Sequence, residues 1–166
     1  MKNLRLLFLF GFLALGLTTF AQDEGLPSVT VKTLEGESKD VQEYAKNDKI
    51  TVISFWATWC SPCKRELDAI QEVYEDWQEE YDMELVAISV DNARTFPRVK
   101  GVVETKGWSY EVLSDIQQEL QRAMSFQDVP YTFILDKTGK IVYSHSGYNP
   151  GDENELEEKI KELSEN

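Results

Sequence analysis

A chain of 166 residues has the length of one domain, and 42% hydrophobic with 11% aromatic residues is enough apolar material for a buried core. The formal charge is -13, from 30 acidic and 17 basic side chains. That balance excludes nucleic acid and anionic membrane as partners, since both are held by basic patches, and the acidity reads as a solubilising surface.

Residues 1–21 read as a segment apart from the fold. Lys2 and Arg5 form a positive start, Leu6 to Leu17 is apolar, and Thr19-Phe20-Ala21 is a small-x-small cleavage site before Gln22. This pattern is a secretory signal peptide, too short and wrongly flanked for a durable membrane span. An uncleaved N-terminal anchor is the alternative. No cysteine lies near the cut, so a lipid anchor is excluded. Removing Lys2 and Arg5 takes the charge from -13 to -15. Residues 22–166 are then one exported, periplasmic domain.

Gln22 to Gly25 is a loose leader. Ser28 to Thr33 alternates as a strand does, Glu35-Gly36 suits a turn, and Val41 to Ala45 suits a short helical turn packing Val41 and Tyr44. Ile50 to Trp56 is nearly all apolar or β-branched, as in a central strand covered on both faces, with Ser54 as its polar exception. It runs into Ala57-Thr58-Trp59-Cys60-Ser61-Pro62-Cys63-Lys64, which holds the two cysteines of the chain, and then into a helical pattern from Cys63 to Trp77. On a helical wheel Cys63, Leu67, Ile70, Val73, Tyr74 and Trp77 share one arc, and Glu66 is the one charged residue within it. On the packed side its carboxyl would be desolvated, its pKa raised, and a proton could pass between it and Cys63. At the edge of the arc it would instead reach water, with Arg65 or Arg122 nearby.

Glu84 to Asp91 is a second buried strand, parallel to the first because a helix lies between them. Asn92 to Gly107 carries Thr95, Val99, Val102 and Val103 at rough helical spacing, with Pro97 in a first turn. Trp108 to Leu113 suits a short strand, and Asp115 a cap for a helix from Ile116 to Met124. Val129-Pro130 precedes a clear strand, Tyr131 to Leu135, and Asp136-Lys137-Thr138-Gly139-Lys140 is a hairpin turn into a return strand, Ile141 to His145. His145 reads as a surface residue at a strand end. Gly147 to Gly151 is a loop, and from Asp152 a final amphipathic helix turns Leu156, Ile160 and Leu163 inward.

The cysteine pair is placed for chemistry. Unpaired N–H groups at a helix start stabilise negative charge, so Cys60 ionises readily, and the thiolate is the form that attacks a disulfide. Cys63, one turn on, can close the internal disulfide that releases the product. As a staple the pair would do little, since so short a ring constrains the unfolded chain by only about 2 kcal/mol. Zinc needs four ligands, and two cysteines with a distant His145 do not supply them.

Phe55-Trp56-Ala57-Thr58-Trp59-Cys60-Ser61-Pro62-Cys63-Lys64-Arg65-Glu66, with the downstream Val129-Pro130, resembles the thioredoxin superfamily and within it the TlpA/ResA branch of extracytoplasmic thiol-disulfide oxidoreductases. The resemblance runs from about Leu26 to about Leu163. It implies an α/β thioredoxin fold, a mixed central sheet flanked by helices, with a TlpA/ResA-type β-α insertion after the second buried strand and an antiparallel last hairpin. It implies Cys60 as nucleophile at an exposed helix tip, Cys63 as the shielded resolving thiol, and a functional Glu66. It also implies a cis peptide at Pro130 that packs against the cysteines and frees the Val129 backbone to pair with a substrate strand, while Trp59 covers the site. The Gly147–Gly151 loop would lie on the same side. Three departures stand out. Ser54 occupies the place of a buried proton-carrying Asp of thioredoxins proper, Asp68 replaces a helix-kinking Pro common in the branch, and the C-x-x-x-C spacing of copper-binding relatives, which would recruit His145, is lacking.

The implied activity is reduction of disulfides in exported proteins, as in cytochrome c maturation, with no cofactor beyond the redox-active disulfide. Partners would be exported proteins with thiols or disulfides and a membrane electron donor of the DsbD/CcdA type. Lys64 beside the thiolate could lower its pKa or simply be a solvated lysine. The rival readings are a thiol oxidase, a peroxidase (whose cysteine would sit in T-x-x-C rather than W-C-S-P-C) and a non-enzymatic interaction module on the same scaffold.

Overall fold

The computed structural model describes residues 25–165, so the predicted signal segment and all of the leader but Gly25, which bridges to Lys140, lie outside the described residues. Seven strands and four helices follow in order: β1 (Thr30–Thr33), β2 (Ser38–Asp40), β3 (Ile50–Trp56), α1 (Ser61–Tyr81), β4 (Met83–Ser89), α2 (Val99–Lys106), β5 (Glu111–Ser114), α3 (Glu119–Ala123), β6 (Tyr131–Leu135), β7 (Ile141–Ser146) and α4 (Asp152–Ser164). The strands form one mixed sheet in the order β2-β1-β5-β4-β3-β6-β7. β3 and β4 run parallel, as do β4 and β5, while β6 and β7 are antiparallel to their neighbours.

β3 is central and every one of its residues is buried. Its alternation divides the core. Phe55 meets Phe126 at 4.5 Å and Phe133 at 6.0 Å between ring centroids on one face. Ser54 and Trp56 point to the other, where Trp56 meets Trp108 edge-on at 5.0 Å. α1 and α4 cover this second face. The arc expected of α1 is the buried one: Cys63, Glu66, Leu67, Ile70, Tyr74 and Trp77 all face the core.

Several boundaries differ from expectation. α1 starts at Ser61 and continues to Tyr81, where Asp82 turns left-handed at φ 49°. The region from Asn92 forms a 3-10 turn at Phe96–Arg98, with Pro97 in it, before α2 begins at Val99. β2 was not anticipated: three polar residues, Ser38-Lys39-Asp40, carry no apolar alternation, and the strand exists because β1 templates it. α3 is only five residues long, and Asp115 precedes it by four, its carboxylate accepting the N–H groups of Glu119 and Gln121 at 2.9 Å each. Asp68, in the place of the kinking proline that the resemblance implies, accepts the Trp108 indole N–H at 3.0 Å and pairs with Lys106 at 2.5 Å. An uninterrupted α1 is thereby tied to the segment leading into β5.

The β6–β7 turn needs its glycine. Gly139 sits at φ +81°, and a Cβ there would collide with the Ala45 carbonyl. Gly139→Ala is therefore expected to lower the unfolding free energy by about 2 kcal/mol or more, read from the urea midpoint, whereas Gly36→Ala, also at positive φ but in open space, costs less.

Candidate active site

β3 delivers the chain to the C-terminal end of its strand, where Ala57 to Cys60 turn into α1. Cys60 is the N-cap of that helix, in extended conformation at φ -87° and ψ 105°. Its sulfur accepts the Cys63 N–H at 3.2 Å, so the cap and the redox atom are one. Pro62 costs no hydrogen bond in the first turn, where N–H groups lack helical partners. Cys60 and Cys63 are joined as a disulfide with Cα atoms 5.4 Å apart.

The peptide bond Val129–Pro130 is cis, as the resemblance implies. It brings the Val129 carbonyl oxygen to 3.6 Å from Cys60 Sγ. This changes one expectation. Cys60 is not at an exposed tip: it keeps 4% of its surface against 0% for Cys63. The Val129 backbone lies over the sulfur and leaves a slit. Trp59, by contrast, is 64% exposed, the most exposed large apolar side chain among the described residues. The loop after β7 does lie on this side, with the Gly147 N–H donating to the Pro130 carbonyl at 2.9 Å.

Glu66 is buried, 5% exposed, and does not reach Arg65 or Arg122. The hydroxyl of Thr132 donates to its Oε1 at 2.9 Å and that of Ser54 to its Oε2 at 3.5 Å. Burial pushes its pKa up to about 7, with the charge of Asp152 adding to the rise and the two hydroxyls opposing it. Ser54, which stands in place of the thioredoxin Asp, is thus a partner of the carboxyl that the helix supplies.

Two further groups, Asp91 and Thr132, were missed in the sequence. Asp91, fully buried, accepts the Thr58 N–H and the Thr58 hydroxyl at 2.7 Å each and the Ser89 hydroxyl at 2.8 Å, locking the turn before Cys60. A lone carboxylate ending an apolar strand, next to the switch into a loop, was its visible signal. Lys64 is partly buried, and its ammonium donates to the Thr58 carbonyl at 2.9 Å and braces the same turn. Thr132 sits two residues after Pro130 in an apolar strand, a polar exception like Ser54. His145 is also not a plain surface residue. Its register partner is Thr132, so it lies on the sheet face that α4 covers, half-buried, with its Nε2 3.4 Å from Asp152 Oδ2. Among the described residues no group of three His, Cys, Asp or Glu side chains is arranged to hold a metal ion.

The AhpC/TSA family model matches residues 23–144. The chain belongs to this family. The thiol-disulfide oxidoreductase ResA of Geobacillus thermodenitrificans is 29% identical over 124 residues, covering 75% of this chain and 68% of the relative. The thioredoxin-like protein YneN of Bacillus subtilis is 29% identical over 135 residues, covering 81% and 75%. The solution structure of a thioredoxin-like protein from Porphyromonas gingivalis superposes with a TM-score of 0.75 at 45% identity, over 84% of this chain and 92% of that one. The fold is thioredoxin-like, and this family member is a thiol-disulfide oxidoreductase, as the resemblance to the TlpA/ResA branch implied.

The burial of Glu66 has a measurable cost. An unfolded glutamate ionises near 4.5, whereas the native one holds its proton to about 7. Below pH 4.5 both states are protonated and the group is neutral to stability. Between these values the native state holds more protons, so stability falls as pH rises and the full penalty, on the order of 3 kcal/mol, is present above about pH 7. Urea unfolding of the oxidised protein at pH 5 and pH 8 is expected to show this decline, and Glu66→Gln to flatten it.

Proposed function

We propose that this protein is an exported reductase of disulfides in other exported proteins. Residues 1–21 act as its signal peptide and residues 22–166 as its single working domain. Cys60 is the attacking thiolate, Cys63 the resolving thiol, and Glu66 the acid-base partner of Cys63. The observation that carries this reading is a buried, proton-holding carboxyl on the helix face of Cys63, one turn further on.

In the reduced protein the Cys60 thiolate attacks one sulfur of a client disulfide, and the other client sulfur leaves as a thiolate. The Cys63 thiol then passes its proton to Glu66 and attacks Cys60, releasing the second client thiol and closing the Cys60–Cys63 bond. Two electrons pass from protein to client. The Val129 backbone, held beside Cys60 by Pro130, offers an extended client segment main-chain pairing, and the exposed Trp59 offers it apolar contact. Thiols return by way of a membrane donor of the DsbD/CcdA type. Client cysteines of the kind used in cytochrome c maturation fit this chemistry, and the relatives named thiol-disulfide oxidoreductase support the exchange reaction itself.

The reduction potential of the pair decides the direction. Equilibrated with thiol/disulfide buffers and followed by Trp fluorescence, it is expected near or below about -220 mV; a value near about -120 mV would make the protein an oxidant that installs disulfides. Peroxide is the rival acceptor that the family match brings in. The reduced protein is expected to consume hydrogen peroxide no faster than a free dithiol, while Cys60→Ser abolishes insulin reduction.

A further inference from the structure

A carboxyl that accepts a proton inside a protein must give it back to water, and Glu66 is sealed beneath α1. The two hydroxyls it touches can pass a proton but cannot hold the charge. A route outward follows the sheet. Ser54 pairs in register with Thr132, and Thr132 with His145, so these three side chains form one cross-strand row on the face that α1 and α4 cover. Over the row lies a cleft with room for roughly one water molecule, lined by Glu66, Thr132, Tyr143, His145, Asp152 and Glu153 among others.

His145 stands at the outer end. Its Nε2 is buried and has no hydrogen-bond partner, lying 3.4 Å from Asp152 Oδ2 at an angle unsuited to one. Its side chain as a whole is 33% exposed, so the ring spans from the cleft to solvent. Asp152 is itself held in place by the Asn149 N–H at 2.7 Å. The Tyr143 ring stacks parallel to the imidazole, 6.5 Å between centroids. The groups that face Glu66 are Asp152 and Glu153 from α4, Tyr143 and His145 from β7, Tyr148 from the loop after it, and Tyr110 ahead of β5. Of these, the imidazole alone has two ring nitrogens, one able to accept a proton while the other gives one up.

We propose that His145, with Asp152 beside it, is the proton exit of Glu66. The inference rests on the acid-base role proposed above for Glu66. When Cys63 resolves the mixed disulfide, its thiol proton moves to the Glu66 carboxylate. The Cys63 thiolate forms a bond to Cys60 Sγ as the Cys60–client bond breaks, and the client thiolate is protonated by solvent. Glu66 then passes its proton, through a water in the cleft, to one ring nitrogen of His145, and the ring gives up a proton to bulk solvent. On reduction of the disulfide the path runs inward. His145 touches neither sulfur, so it is a positioning and relay residue for Glu66.

The test uses the reduced protein and an aromatic disulfide, 5,5'-dithiobis(2-nitrobenzoate), in a stopped-flow instrument. Attack by Cys60 releases one coloured thiolate and resolution by Cys63 a second, in two phases. His145→Ala is expected to slow the second phase about tenfold at pH 7 and spare the first, free imidazole to restore it, and His145→Gln to remain slow. In a Glu66→Gln background, His145→Ala is expected to add nothing. A second phase in His145→Ala with wild-type rate and pH profile overturns the exit while leaving Glu66 its role. So does a slowing that imidazole does not rescue and that adds to Glu66→Gln, because that pattern is structural. A wild-type second phase in Glu66→Gln overturns both the exit and the role of Glu66.

Discussion

Helix α1 begins on a sulfur atom. Cys60 Sγ fills the place that a serine or aspartate oxygen holds at most helix starts, taking the Cys63 N–H at 3.2 Å. The helix end, its unpaired N–H groups and the redox bond therefore cannot be moved independently. Everything around them serves to fix that junction. β3 enters it from a fully buried strand, Asp91 grips Thr58 from the end of β4, and Lys64 reaches back to the Thr58 carbonyl. The Val129 carbonyl closes it from the third side. Negative charge that develops on Cys60 thus meets donors already in position, which is how preorganised sites stabilise it.

A second constraint runs through the interior. The sheet face under α1 and α4 carries a polar cross-strand row, Ser54, Thr132 and His145, with Glu66 set over it. Burying that carboxyl weakens the fold at neutral pH, since hydroxyl donors only partly replace water. The polar row is the compensation, and it gives the group a proton affinity near the working range of a thiol exchange enzyme. Thioredoxins proper, as the resemblance has it, hang a carboxyl from the strand. Here the strand offers Ser54 and the helix offers the carboxyl, so the same interior point is reached from the opposite side.

Much of this was legible before any coordinates. The apolar run of β3, the helical arc with Glu66 inside it, and Val129-Pro130 ahead of a strand are local patterns, and each led to its element. Glu66 could be placed in the buried arc because a helix fixes direction every 100° or so. What stayed hidden depended on pairing across the chain. β2 has no apolar signature of its own. Cys60 looked exposed because a helix start usually is, and only the approach of a segment 69 residues later narrows it. His145 looked like a surface residue because β6–β7 register and the seat of α4, both long-range, decide which way it points. Asp68 marked the absence of a proline in the sequence. Its actual work, holding Lys106 and Trp108, needs the insertion folded against α1.

The narrow opening over Cys60 bears on how such a protein ages. Thiolates that meet solvent freely climb from sulfenic to sulfinic and sulfonic acid, and the later steps cannot be undone by thiols. In the disulfide form Cys60 keeps 4% of its surface in contact with water, and the Val129 carbonyl stands 3.6 Å from its sulfur on the side a dissolved oxidant would approach. A sulfenic acid formed there has Cys63 one turn away to condense with, losing water to become the ordinary disulfide. Over-oxidation is thereby diverted into the same state that the catalytic cycle already produces and already knows how to repair.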